Sequence, residues 1–268
     1  MREFFGIGGY ERTPEGAYSW QHLTFVSFLI ISMFVGSILA GLLLRKSELK
    51  VKNRVLIICA IAINSVELVK IIAALVNSDD PWKTVLHLLP LFLCSIQLIT
   101  IPLAAFTRGR IKEACLDFVF IFGLLGAILG TVGAAQNYNA YPVLSIDNVA
   151  SGITHTISGF ASVYIAASGM ISLKLKNMWI SYIILFGFSS AACIVNLATG
   201  FTNYMFLVSH DGTPYSILYN MVNGNKIIYP VLVILIFVIY IAVYYLTALL
   251  IRHIAKKARA KKKECLKP

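Results

Sequence analysis

The sequence predicts an all-α, polytopic membrane protein: a bundle of seven transmembrane helices, with the N-terminus outside and the C-terminus in the cytoplasm. Three observations predict it. Apolar residues make up 58% of the chain and charged residues 13%, where a soluble domain carries roughly 25% charged. The apolar residues come in runs of about 20, the length a helix needs to cross the ~30 Å hydrocarbon core. The basic residues then collect in every second loop, as the positive-inside rule requires of a chain that threads the bilayer repeatedly.

Met1 to Trp20 is a short extracellular segment of mixed charge and many aromatics. It has no basic stretch leading into a cleavable apolar run, so it does not read as a signal peptide. Seven spans follow, near residues 21–44, 54–76, 85–106, 113–135, 149–173, 178–204 and 227–251. Helices are the reading because the runs are too long and too continuously apolar for barrel strands. Residues 21–251 therefore form one transmembrane domain. Residues 252–268 form a basic cytoplasmic tail.

Arg45, Lys46, Lys50, Lys52 and Arg54 follow the first span. Arg108, Arg110 and Lys112 follow the third, and Lys174 and Lys176 the fifth. The opposite loops hold only Lys83 and Lys226, with Arg2 and Arg12 in the N-terminal segment. This alternation sets the orientation and agrees with an odd number of spans. The net charge of +11 thus reads as topology and attraction to anionic lipid, not as a nucleic-acid surface. The expected setting is a cell membrane.

The loop of residues 205–226 is rich in turn residues and aromatics. It is expected over the outer mouth of the bundle, as a lid or interfacial segment. Gly123, Gly126, Gly130 and Gly133 in the fourth span, with the small residues of the fifth, let helices approach closely. A glycine-lined ligand passage is the other reading of them.

Five cysteines occur, at 59, 94, 115, 193 and 265. None form a CxxC and no pair sits in an outer loop, so neither a disulfide framework nor a zinc site of ordinary spacing is expected. The Cys265-Leu-Lys-Pro end is a poor prenylation frame. No cofactor is implied.

The polar groups inside the spans carry the functional reading, because each costs free energy in hydrocarbon unless it finds a partner. By the topology, Glu67, His87, Cys94, His155 and Asn196 fall in the outer half of the membrane or near its middle. Asn64, one turn from Glu67, shares its face. They come from four spans and converge on one depth. An outward-opening cavity lined by Glu67, Cys94, His155 and Asn196 follows. Plain alternatives stand beside this: Glu67 paired with Lys70, Cys94 as a small buried hydrophobe, His155 and Asn196 as interhelical glue. His22 reads as an interfacial anchor. The sharper reading joins Cys94 to His155. A thiol becomes a nucleophile when a base takes its proton, and Glu67 or Asn196 could orient that base. A divalent metal on Glu67, His87 and His155 lacks the tight spacing such sites show.

Leu89–Ile96, LPLFLCSI, resembles an LPLHLC-type signature of the YwaF-like integral membrane proteins of bacteria. The histidine in Ser-Gly-Ile-Thr-His-Thr-Ile, His155, resembles that family's fifth-span histidine. Asn203-Tyr204-Met205-Phe206-Leu207 is similar to its NYMFL segment, placing Asn203 and Tyr204 at the outer mouth. Ser65-Val66-Glu67 and His22-Leu23 resemble its second-span and first-span motifs. The resemblance runs from about Trp20 to Tyr245.

That family is in turn similar to a mammalian seven-span acyltransferase acting on ether lysophospholipids. The resemblance implies catalysis by Cys94 and His155, acyl transfer through a thioester, and membrane lipids as partners, a lysophospholipid and an acyl donor among them. The family's histidine two residues before the cysteine is Phe92 here. His87, seven residues before Cys94 and so on nearly its face of a continuous helix, is the expected stand-in.

Other function classes compete. A small-solute transporter or ligand-binding membrane protein suits seven spans, yet no repeat relates the first three to the last three. A retinal protein needs a lysine in its last span, and Val231–Leu250 contains none. A scaffold role needs no site at all. The oligomeric state is open.

Overall fold

Eleven α-helices make up the described chain, with no strand among the described residues. The computed structural model describes residues 1–264, with side chains to residue 258. Cys265 and Lys267 of the basic tail, and the side chains of Arg259, Lys261, Lys262 and Lys263, lie outside the described residues. The helices are α1 (Arg2–Phe5), α2 (Trp20–Leu44), α3 (Leu49–Val76), α4 (Pro81–His87), α5 (Gln97–Phe106) and α6 (Gly109–Thr131). They continue with α7 (Ala135–Ala140), α8 (Ile146–Ala167), α9 (Leu175–Thr199), α10 (Ser216–Met221) and α11 (Ile228–Glu264). The chain divides into two compact units, Met1–Ile171 and the remainder from Ser172.

Five stretches are long and apolar enough to cross a membrane: Trp20–Leu44, Leu49–Val76, Gly109–Ala140, Leu175–Thr199 and Ile228–Ala258. The protein is a multi-pass membrane protein. The seven continuous spans expected from sequence differ at two places. The fifth, expected at 149–173, is α8, 22 residues long and outside those five stretches; it carries Asp147, Asn148, His155 and several Ser and Thr. The third, expected at 85–106, is not one helix. It runs as α4, a non-helical passage from Leu88, a turn over Phe92–Ile96, and α5.

Pro90 explains the break. Proline offers no N–H to the helix ladder and turns the residue before it away from helical backbone. Helix α4 accordingly stops at His87, and helical i to i−4 bonding resumes with the Ile96 N–H donated to the Phe92 carbonyl, 3.1 Å. Pro102 lies inside α5 and leaves the Leu98 carbonyl, four residues earlier, without its ladder partner. Asn64 of α3 supplies that donor from its side-chain amide, 3.1 Å from the Leu98 oxygen.

Elsewhere the starts follow ordinary capping chemistry. Ser19 accepts from the His22 N–H at the head of α2, Asp80 from Lys83 at α4, and Ser145 from Asn148 at α8. Each satisfies a backbone donor that the first helical turn leaves unpaired.

In the first unit α8 is the central helix, packed against α2, α3 and α6. Phe118, Val119 and Ile121 are wholly buried on α6, and the α6–α8 contact is the most extensive between any two helices. Small residues permit this closeness. A methyl group added to Gly123 would stand 2.7 Å from the Ser158 carbonyl oxygen, and the Ser162 hydroxyl donates to the Phe120 carbonyl at 2.8 Å. At one end of this unit Lys112 donates to the Ala104 carbonyl at 2.6 Å. There it covers carbonyls that the end of α5 leaves open, and places a cation at that helix's negative end.

In the second unit α9 packs on α11, joined by a hydrogen bond between the Ser181 hydroxyl and the Tyr245 phenol, 3.0 Å. Helix α11 runs unbroken to Glu264, so the start of the basic tail is a continuation of the last helix.

Candidate functional site

Helix α6 presents glycines at 123, 126 and 130, three and four residues apart, and therefore along one stripe of its surface. Cys94 sits on Gly126: a Cβ there would lie 3.2 Å from the cysteine Cβ. His155 lies over Gly130, where an added Cβ would fall inside contact distance of three imidazole ring atoms. Gly126 and Gly130 are one turn apart, about 6 Å along the axis. The two side chains that the sequence pairs are thus seated on adjacent turns of the same helix. One comes from the turn before α5, the other from the middle of α8. Both are partly accessible, neither lost in the core nor fully exposed.

Glu67 and Lys70 form an ion pair, 2.8 Å, on α3, with side chains 13% and 20% exposed. Lys70 is close enough to act electrostatically on both Cys94 and His155. One Glu67 carboxylate oxygen is taken by Lys70, the pairing that sequence spacing allowed.

Asn64 does other work. Its amide nitrogen donates to the Ala60 carbonyl at 2.9 Å and to Leu98 at 3.1 Å. It bolts α3 to α5 across the carbonyl that Pro102 frees. His87 is exposed in the last turn of α4. The seven-residue spacing that put it on the Cys94 face assumed a continuous helix, and the break at Pro90 removes that registration.

Asn196, Asn203 and Tyr204 belong to the second unit. The Asn196 oxygen accepts from the Tyr204 N–H (2.8 Å) and the Thr202 hydroxyl (2.9 Å), and its nitrogen donates to the Tyr204 carbonyl (3.1 Å). Asn203 donates to the Ser209 carbonyl and to Asp211, 2.8 and 2.6 Å, and accepts from the Val208 N–H at 2.9 Å. Together they build the loop after α9, in which Met205 and Phe206 both take positive φ values of 55° and 57°. Such backbone is uncommon for non-glycine residues and persists where surroundings hold it. Tyr204 is buried within this loop.

His22 is wholly buried. Its Nδ1 accepts from the Tyr18 N–H at 2.9 Å, so Nε2 carries the proton and faces the Thr131 carbonyl at 3.4 Å. Its ring stacks on Tyr138 with centroids 3.8 Å apart. It fastens α2 to the end of α6.

The N-terminal segment is more structured than its sequence suggests. Phe4 and Phe5 pack against Ala73, Ile146 and Ala150. The Tyr10 phenol donates to Asp147 at 2.8 Å, Glu15 accepts from the Val143 N–H at 2.8 Å, and Asn139 from the Ala17 N–H at 2.7 Å. Burial, with the Asp147 bond and charge behind it, holds the Tyr10 phenol protonated well above its ordinary range. The segment closes over the ends of α3 and α8. Its Phe and Tyr residues were the available signal.

Gln97 also belongs to the site region. It is wholly buried at the start of α5, one turn after Cys94.

A protein-family model, that of the TMEM164 family, matches residues 17–247. No curated protein and no solved structure matches the chain.

Proposed function

The chain belongs to the TMEM164 family, a family of membrane proteins, and from that premise we propose that it is a membrane acyltransferase with Cys94 as nucleophile and His155 as its base. The observation that carries the reading is the seating of both side chains on neighbouring glycines of α6. Cysteine with histidine is the pair that thiol acyl transfer requires.

The chemistry runs in two halves. His155 takes the Cys94 proton, and the sulfur attacks the carbonyl carbon of an acyl ester in a membrane lipid. The S–C bond forms, the ester C–O bond breaks, and the departing oxygen leaves with the proton held by His155. A hydroxyl of a lysophospholipid then attacks the thioester. Its proton passes to His155, the C–O bond forms, and the S–C bond breaks. The sulfur regains a proton from His155.

Lipid analysis of membranes bearing wild-type protein, Cys94→Ala or His155→Ala at equal expression tests this. A lipid species gained with wild type and lost in both variants is expected. Identical lipid profiles for all three would overturn the reading.

A further inference from the structure

A thiol and a base do not complete an acyl-transfer centre. As sulfur adds to the carbonyl, an electron pair moves onto the carbonyl oxygen, and that oxyanion needs a donor placed in advance. Among the described residues the first unit holds one buried side-chain donor without a partner. Gln97 is wholly buried. Its Oε1 accepts from the Thr100 hydroxyl at 3.0 Å. Its Nε2 finds no acceptor among the described residues. A buried amide left in that state is costly, and native structures hold few such groups.

The position of Gln97 matches the missing donor. The Gln97 N–H donates to the Cys94 carbonyl at 3.3 Å, so the two residues close a single helical turn and leave it on the same side. Helix α5 runs opposite to α6: Cys94 lies at Gly126, while Ala104, further along α5, meets Lys112. Gln97 therefore stands about a turn from Cys94 toward Gly123. His155 stands about a turn from it the other way, at Gly130. The nucleophile has the imidazole on one side and the orphan amide on the other. Glu67 and Lys70 are occupied with each other on α3, and a carboxylate could not donate.

We propose that Gln97 is a catalytic residue of the acyl-transfer centre, its Nε2 donating to the acyl carbonyl oxygen in both halves of the reaction. This rests on the acyltransferase reading. Gln97 transfers no atom. The electron pair it stabilises returns to the carbonyl as the leaving oxygen, or later the sulfur, departs.

The test compares two rates on the purified full-length chain. Acylation is read as the burst of nitrophenolate released by p-nitrophenyl palmitate. Alkylation of Cys94 by iodoacetamide, resolved by peptide mass spectrometry, reports the thiol without any carbonyl oxygen. For Gln97→Met and the isosteric Gln97→Glu, acylation is expected to fall about 100-fold and alkylation to stay within about twofold. Unchanged acylation overturns the proposal. So does an equal fall in both rates, which would make Gln97 a packing residue. Cys94→Ala separates the two claims: if it acylates as wild type does, the acyltransferase reading itself fails and takes this inference with it. If it abolishes the burst while the Gln97 variants keep theirs, only the Gln97 assignment fails.

Discussion

Asn64 donates its side-chain amide to the Leu98 carbonyl at 3.1 Å, the carbonyl that Pro102 cannot bond. A polar side chain on one helix thus repairs the ladder of another. Asn64→Leu is expected to destabilise the protein by about 0.5–2 kcal/mol. Pro102→Ala gives Leu98 an N–H partner within its own helix. The Asn64→Leu penalty should therefore shrink by half or more in the Pro102→Ala background. Unfolding in mixed detergent, run as a double-mutant cycle, measures this. An undiminished penalty would show that Asn64 acts through something else.

Gly130→Ala drives a methyl into the His155 ring. Overpacking of that kind costs about 1–3 kcal/mol; under the proposed acyl transfer it moves His155 off Cys94, and lipid turnover should drop at least about tenfold. Gly187→Ala is the control, because nothing stands within 4 Å of that position. It should gain up to about 1 kcal/mol and leave turnover alone. Equal behaviour of the two variants would remove the seating of His155 from the account.

Glu67→Gln strands Lys70 in a largely buried setting. Breaking one side of a buried pair costs about 3–5 kcal/mol, and the 13% and 20% exposures here place this pair toward the lower end. The double variant Glu67→Gln/Lys70→Met should recover most of the loss. Thermal melting of the three proteins decides, and a double variant no more stable than the single would count against the ion pair.

The Tyr10–Asp147 bond uses a protonated phenol. Its folded pKa lies above the unfolded value of about 10, through burial first and Asp147 second. The contribution is therefore complete below pH ~10 and is lost as pH rises through the folded value. Hydrogen exchange in residues 1–19 should quicken between pH 9 and pH 11, on either side of the unfolded value of about 10, beyond the intrinsic base-catalysed trend. In Tyr10→Phe that extra acceleration should be absent.

Cys94 and His155 each had a bland use open in the sequence, as a small buried hydrophobe and as interhelical glue; what joined them was shared depth, and the glycines at 126 and 130 are where the fold seats them. His87 was misplaced for a reason also present in the sequence: Pro90 stands between it and Cys94, and helical spacing does not carry across a proline. Asn64 and Asn196 show what residue type cannot reveal. Both were polar groups at the right depth, yet each serves backbone atoms of a neighbouring segment, Leu98 and Tyr204. Gln97 is, in the sequence, one polar residue of an apolar run like Ser95 or Thr100; the fold singles it out by leaving its nitrogen unpaired among the described residues.

Helix α11 spans 37 residues, which measures about 55 Å at ~1.5 Å per residue, against ~30 Å of hydrocarbon. The helix outlasts the lipid by several turns. Its first cation, Arg252, comes about 36 Å from Ile228 and is tied back to the Ser172 and Leu173 carbonyls. Beyond that anchor the chain stays helical, so Lys256 and Lys257 are spaced by a rigid rod rather than strung on a loose end.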